Sequence, residues 1–441
     1  MIKINKTAKF LFLGLFSLQL HALSLDEALK TALQHSRDLK KSAMSLDIAQ
    51  KDIEEKKSAN YGRVDVMASL THYNLPRTLT PLTPASMASG AALIPTTQDM
   101  MVAGVAYNVN LFNGYSDTRS IEISSLQKDI NKNFHKLSRE QIIYNVKTLY
   151  INILSLKAKA KAQELYVEAL QQLHEDISLK VKLGSAAKID ELKSMADIKR
   201  AQTQLIDIQT NIKILKETLA SVMYVPEIDT LEEIPNDIES VKLLDVQEYK
   251  QQLLESSRVK IAALEVAKKQ KIEEKSQSVY YPKVTFNAYY GQNGGINDST
   301  NPNSGDFKHE DVWQAGVDLK WNVFDFGSKH SMVQKNKIMV MQSKLDKEKV
   351  VRDLQKSLVE ALSKIEQSVQ NYQSAQSELT LMEETQKIEQ IRYENGASDI
   401  NDLLYTKARY QMAKSSYISA QYNYQNALNY LYYVLEQGDV K

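Results

Sequence analysis

Trp313-Gln314-Ala315-Gly316-Val317-Asp318-Leu319-Lys320-Trp321-Asn322-Val323-Phe324-Asp325 is the stretch on which the fold turns. In an extended chain, side chains alternate between two faces. Trp313, Ala315, Val317, Leu319, Trp321 and Val323 then share one face, and Gln314, Gly316, Asp318, Lys320 and Asn322 the other. About ten residues with one apolar and one polar face is the pattern of a membrane β-barrel strand. The only two tryptophans of the chain stand near opposite ends of this run, where interfacial aromatics belong. A soluble sheet with one buried face shows the same alternation. It fits this chain poorly, because four isolated strands between very long helices have no other core to pack on.

The end of this stretch has an earlier counterpart. Asn110-Leu111-Phe112-Asn113 precedes Asn322-Val323-Phe324-Asp325 by 212 positions. The same spacing separates Leu183-Gly184-Ser185, with Asp190 and Leu192, from Asn395-Gly396-Ala397, with Asp402 and Leu404. Asn110 to Asp190 and Asn322 to Asp402 therefore both span 80 positions. Further upstream, Tyr61 and Val64 match Tyr281 and Val284 at a spacing of 220. The change from 220 to 212 falls in the Pro/Ser/Thr/Ala stretch 75–98 and the Gly/Asn/Ser/Asp stretch 291–310, as expected if loops vary and elements do not. Gly291, Gly294 and Gly295 are expected in the second of these loops.

Each half reads helix, strand, loop, strand, long helix, turn, helix. The first repeat covers 23–222, with strands at about 62–74 and 100–112 and a turn near 183–189. A linker follows over 223–242, carrying Pro226 and Pro235. The second repeat covers 243–436, with strands at about 281–291 and 312–324 and a turn near 394–400, and 437–441 is a short tail. Val64, Val66, Ala68 and Leu70, then Met101, Ala103, Val105, Tyr107, Val109 and Leu111, and Val284, Phe286, Ala288 and Tyr290, carry the apolar faces of the other strands, with Gly104, Asn108 and Asn110 opposite.

The opening helix is expected from about Leu25 to Ala59, with Ser24 and Glu27 at capping-box spacing, and its counterpart from about Leu243 to Ser278. Ile142, Val146, Leu149, Ile153, Leu156 and Ala160 recur at intervals of four and three, and Leu354, Leu358, Ala361 and Ile365 do the same, the spacing of a coiled-coil seam. Asp117 to Lys182 contains no proline, so one helix of roughly 100 Å can run through it.

Composition removes several function classes. Residues 1–22 read as a secretory signal: Lys3, Lys6 and Lys9, an apolar run from Phe10 to Leu18, and Ala22 before the cleavage point. That run is too short to span a bilayer, and no other stretch qualifies as a transmembrane helix. Without cysteine there is no disulfide framework, thiolate nucleophile or lipid-anchoring cysteine. Removing the signal leaves 52 basic against 54 acidic side chains, not the basic excess of a nucleic-acid binder. The seven histidines are dispersed without ligand spacing, so neither a metal nor a cofactor is expected. No convergent set of titratable groups suggests an enzyme. Tyr417, Tyr422, Tyr424, Tyr430, Tyr432 and Tyr433 crowd the last helix and read as packing between rods near the membrane end.

Strand pairs between long coiled-coil hairpins, twice over after a signal, resemble the TolC family of outer-membrane factors. Leu23-Ser24-Leu25-Asp26-Glu27-Ala28-Leu29 is similar to the family's N-terminal start, and Tyr281-Pro282-Lys283-Val284 to its strand opening. Trp321 to Gly327 resembles its strand-to-helix exit, and Tyr393-Glu394-Asn395-Gly396, with Ile400 and Asp402, its periplasmic turn. The resemblance covers about 23–436. It implies a membrane α+β fold: a trimeric outer-membrane β-barrel of four strands per chain, continued by an α-helical coiled-coil tunnel in the periplasm. Two hairpins cannot close a barrel alone, and open strand edges are forbidden in lipid, so oligomerisation follows. The implied function is a passive export channel in a tripartite system, working with a periplasmic adaptor and an inner-membrane transporter. Its cargo would be drugs, small molecules or, as in type I secretion, protein. A secreted periplasmic coiled-coil structural or adaptor protein is the alternative, and the 313–323 strand speaks against it.

Family members narrow at the periplasmic tip. By position, Asp402 matches the first constriction aspartate, Tyr405 stands where a second is usual, Tyr393 matches a linking tyrosine and Asp190 its acidic partner. Ser398 replaces the linking arginine, leaving Arg392 or Lys188 as substitutes. Asp190 and Asp402 also suit a plain electrostatic role near helix N-termini.

Overall fold

The computed structural model describes residues 22–90, 93–234, 245–299 and 303–439. The signal expected at 1–22 lies outside these apart from Ala22, as do positions 235–242 of the linker and the last two of the tail. In order, the elements are α1 (Leu25–His35), α2 (Arg37–Ser58), β1 (Arg63–Thr78), α3 (Pro84–Ala88), β2 (Thr96–Phe112), α4 (Ser116–Lys182), α5 (Lys188–Met223), α6 (Val246–Leu254), α7 (Ser257–Ser276), β3 (Lys283–Ile296), β4 (Phe307–Lys320), α8 (Ser328–Glu394) and α9 (Ile400–Val434). The two repeats are copied with little drift. Both α4 and α8 are 67 residues long, α5 has 36 and α9 has 35.

The chain divides into two compact units. One comprises residues up to Ser36, 140–243 and 359–441; the other comprises 37–139 and 244–358. The second holds the sheet, whose order is β1-β2-β3-β4, antiparallel throughout, so the repeats join through β2 and β3 while β1 and β4 are edges. Val66 pairs with Val105, Val105 with Tyr290, and Tyr290 with Trp313, so the apolar faces of all four strands form one surface. That surface is bare: Val66 is 83% and Trp313 74% exposed.

Several details differ from the sequence reading. The opening helix is two helices broken at Ser36, whose φ −53° and ψ 120° leave the helical region. Its counterpart breaks at Ser256, 220 positions on, where the serine hydroxyl accepts from the Val259 N–H and caps α7. The strands are also longer than expected. β3 continues through Gly291, Gly294 and Gly295, which are strand residues and not a hairpin loop, because neighbouring groups occupy the side of each where a Cβ would stand: Tyr289 at Gly291, Phe307 at Gly294 and Thr97 at Gly295. β4 starts at Phe307 and ends at Lys320, so Trp313 sits mid-strand and Trp321 just beyond the end. The extension before the expected start at 312 is five residues long and charged or polar from Lys308 to Asp311, and Asp311 there accepts a 2.8 Å hydrogen bond from Gln292. The apolar span and the strand therefore do not coincide.

In the other unit, Ile142, Val146, Ile153 and Ala160 are buried as a seam, with Leu149 and Leu156 half-buried. A second buried line, Ile143, Tyr150 and Leu154, widens that face of α4. Tyr150 is fully buried, with its hydroxyl 2.7 Å from the Leu23 carbonyl oxygen and 2.8 Å from that of Glu232. Leu23 forms a short parallel bridge with Leu231 there, so Tyr150 holds the start of the chain to the inter-repeat segment. Burial pushes the Tyr150 hydroxyl up to about 12. The late tyrosines belong to this unit: Tyr422 and Tyr424 are buried, Tyr433 stacks on Tyr144 at 4.6 Å, and the Tyr372 and Tyr417 hydroxyls are 2.9 Å apart.

Candidate functional site

Two regions carry the residues singled out by the sequence. The first is the sheet. Its apolar face runs through Val64, Val66, Val105, Tyr290, Trp313, Val317 and Leu319, all exposed. Trp313 to Trp321 spans eight residue steps, roughly 26 Å along a strand, close to the apolar band of a bilayer-spanning barrel. Beyond Trp313 that face turns polar through Asp311 and Gln292, and through His72 and Asp99, which are paired at 2.8 Å. At the opposite end, Trp321 donates from Nε1 to the Tyr280 carbonyl at 3.1 Å. Around it stand aromatics that the sequence reading missed. Phe324 meets Phe326 edge-on at 4.7 Å, and Phe112 meets Tyr115 at 5.5 Å and Tyr281 at 6.3 Å. Phe112, Tyr281, Phe324 and Phe326 all lie in stretches quoted for the repeat or the family resemblance, which carry no expectation of an aromatic cluster.

The other face of the sheet is polar toward the helix end. Arg63 pairs with Asp65 at 2.8 Å, and Asn287 donates to Asp318. Asn108, Asn110, Thr285, Lys283 and Arg63 line a groove beside Glu55 and Ser58.

The second region is the pair of helix-helix turns. Each ends its helix with a glycine in the left-handed region, Gly184 at φ 76° and Gly396 at φ 70°. Ser185 N–H donates to the Lys180 carbonyl and Ala397 N–H to the Arg392 carbonyl, both at 2.8 Å, the same Schellman closure twice. Asp190 and Asp402 sit in the first turns of α5 and α9. Both are exposed and make no side-chain hydrogen bond or ion pair among the described residues. Tyr405 is 61% exposed, with the Arg409 guanidinium 5.8 Å from its ring centre. Tyr393 is exposed, and its hydroxyl has no partner among the described residues. The Ser398 hydroxyl is enclosed without a partner.

Neither suggested substitute for the linking arginine crosses between hairpins. Arg392 pairs with Glu389 at 3.2 Å, three residues back on its own helix, and Lys188 pairs with Glu191. The crossing is made elsewhere. Lys180, in the last turn of α4, reaches Asp399, the N-cap of α9, at 3.0 Å, and also Asp176 at 2.9 Å. Asp399 is held below the ordinary carboxylate value, first by the Asn401 N–H it caps and then by the Lys180 ammonium. Lys180 is raised above its ordinary value by the same two acids. The signal that would have found this pair is the repeat itself. Lys180 is the counterpart of Arg392 at the 212 spacing, and Asp399 that of Ala187, the N-cap of α5, which carries no capping side chain.

Among the described residues, no helix is long and apolar enough to cross a membrane, and no group of three His, Asp or Glu is placed to hold a metal ion.

Comparison with known proteins agrees with this geometry. The family model described as outer membrane efflux protein matches residues 28–223 and 249–436. A search of curated proteins returns no match. Among solved structures, the CmeC outer membrane channel of Campylobacter jejuni superposes with a TM-score of 0.74 at 14% identity, over 94% of this chain and 86% of that one. The open state of the Neisseria gonorrhoeae MtrE outer membrane channel gives 0.72 at 16% identity, over 94% and 89%. VceC, an outer membrane protein of Vibrio cholerae, gives 0.72 at 14% identity, over 93% and 96%. The family is one of channels and not of enzymes. The sheet is thus the chain's share of an outer-membrane β-barrel and the helices its share of a periplasmic tunnel. This chain belongs to the outer membrane efflux protein family, and is an outer-membrane export channel of the TolC type.

Proposed function

We propose that three copies assemble into one conduit, that a periplasmic adaptor and an inner-membrane transporter complete the export system, and that the helix-helix turns form its gate. The observation that carries this is the sheet: it bares its apolar face and has β1 and β4 as edges. In lipid every edge must be paired, and a twelve-strand closure of three four-strand sheets pairs them all. Trp313 and Trp321 then mark the two interfaces with outer-membrane lipid.

At the gate, the exposed carboxylates of Asp402 ring the entrance and favour cations, with Asp190, Tyr393 and Tyr405 beside them. The Lys180–Asp399 pair ties the two hairpins of one chain together in the closed state. Recovery of a heat-modifiable trimer from the outer-membrane fraction tests the assembly, and a soluble monomer would overturn it. Single-channel recording of Asp402→Ala tests the ring, which requires altered conductance or selectivity.

A further inference from the structure

We propose that Tyr289 is a contact site for planar aromatic cargo on the inner wall of the barrel, laid flat there by Gly104 and Gly291. The inference rests on the channel reading, in which the bare apolar face meets lipid and the opposite face lines the conduit.

Tyr289 lies on that inner face, in register with Ala106 and Gln314. The next inner row is Met67, Gly104, Gly291 and Val312. Gly104 and Gly291 face each other across the β2–β3 ladder. A Cβ built on Gly104 would stand 2.6 Å from the Tyr289 hydroxyl and 2.7 Å from its Cε2 and Cζ. One built on Gly291 would stand 2.6 Å from Cζ and would also strike the hydroxyl. The far end of the ring thus occupies the space that two side chains would have taken. The ring leans along its strand over a paired glycine floor and does not stand out from the wall.

Three consequences follow from this placement. The conduit is not narrowed by a tyrosine at this level. A ring lying along the wall turns one face towards the space in front of it, and an aromatic face attracts planar rings and cations. The wall beside the ring offers Ala106 and Gln314 in its own row, with Asp65 one strand further, and Met67 and Val312 flanking the glycines in the next, so apolar surface and a carboxylate both lie within its level, with Arg63 below and Glu310 above. The hydroxyl is enclosed and has no partner, so the ring face and not the hydroxyl is the recognition element.

The probe is ethidium, a planar aromatic cation, added to the barrel side of single channels of the reconstituted full-length protein. Tetraethylammonium serves as the non-aromatic cation. Ethidium block is expected to weaken about 3- to 30-fold in Tyr289→Ala and to persist in Tyr289→Phe, with tetraethylammonium block unchanged in both. Gly104→Ala meets only the Tyr289 side chain among its nearest contacts, so it should lift the ring, lower conductance and alter ethidium block. Gly316→Ala, on the same face with open space before it, should leave both as in wild type. A conducting Tyr289→Ala channel with ethidium block within twofold of wild type overturns this inference alone. Wild-type protein that inserts yet carries no current overturns the channel reading, and this inference with it.

Discussion

Exchanging Lys180→Met and Asp399→Asn, singly and together, should shift the gate towards its open state. Methionine keeps the length of the lysine stem without its charge, and asparagine keeps the N-cap that Asp399 provides to the Asn401 N–H, so the change at Asp399 removes chiefly the ion pair, and the change at Lys180 removes in addition only its pair with Asp176 within α4. The pair is partly solvated, with side chains 34% and 50% exposed, and exposed pairs contribute roughly 0.2–1 kcal/mol. Lys180 keeps Asp176 at 2.9 Å, so no charge is stranded when Asp399 is neutralised. Three copies opening together would multiply the term to roughly 0.6–3 kcal/mol, about a 3- to 150-fold rise in the open-to-closed ratio. Single-channel recordings of open probability read this ratio directly. The double variant should match Lys180→Met, because the cross-hairpin interaction is lost in all three variants and the Asp176 pair, which lies within α4, in both that lack the lysine. The pH arm follows from the signs of the shifts. A lowered Asp399 contributes above the unfolded carboxylate value of about 4 and is lost as pH falls through its folded value. A raised Lys180 contributes below its ordinary 10.5 and is lost only above its folded value. The link should therefore hold unchanged from about pH 5 to 9. Open probability equal to wild type in both single variants would refute the latch, as would strictly additive effects in the double.

Tyr150→Phe should lower the stability of the assembled protein by about 0.5–1.5 kcal/mol, seen as an earlier thermal transition in detergent, because the one hydroxyl proton shared between the Leu23 and Glu232 carbonyls is lost while the Leu23 carbonyl keeps the Glu232 N–H. Gly184→Ala and Gly396→Ala should each cost about 1–2 kcal/mol by the same measurement, since a Cβ is strained at φ 76° and 70° although there is open space around both. Val317→Arg places a charge on the bare face and should cost roughly 2–4 kcal/mol if it lies near the bilayer midplane, depleting the outer-membrane fraction. Gln314→Arg, on the opposite face of β4, should insert normally.

Periodicity made most of the fold legible. A two-residue period marked the strands, a four-three spacing marked the seam, and the 212 spacing recurs from α4 to α8 and from α5 to α9 without slippage. What stayed hidden has a physical reason in each case. The break at Ser36 lies in its backbone angles and that at Ser256 in a hydroxyl turned to the backbone, and serines are common inside these helices. The glycines of β3 look like loop residues until the side chains that cover them are known. The cross-hairpin pair was missed because the acids after the turn drew attention, while the one that reaches across is the N-cap before them. The place of Trp313 was misjudged because a strand can outrun its apolar face.

The equal 67-residue lengths of α4 and α8 constrain how such a chain can change. Deleting one residue from α4 would turn everything beyond it by about 100° and draw the turn back by about 1.5 Å, taking Lys180 away from Asp399. Deleting seven would nearly restore the face and still leave that turn short by about 10 Å. Length can drift only as matched edits in both halves, made in whole turns and in the returning helices as well. A chain bound by that rule tolerates substitution far more readily than insertion, and its loops are where length can vary freely.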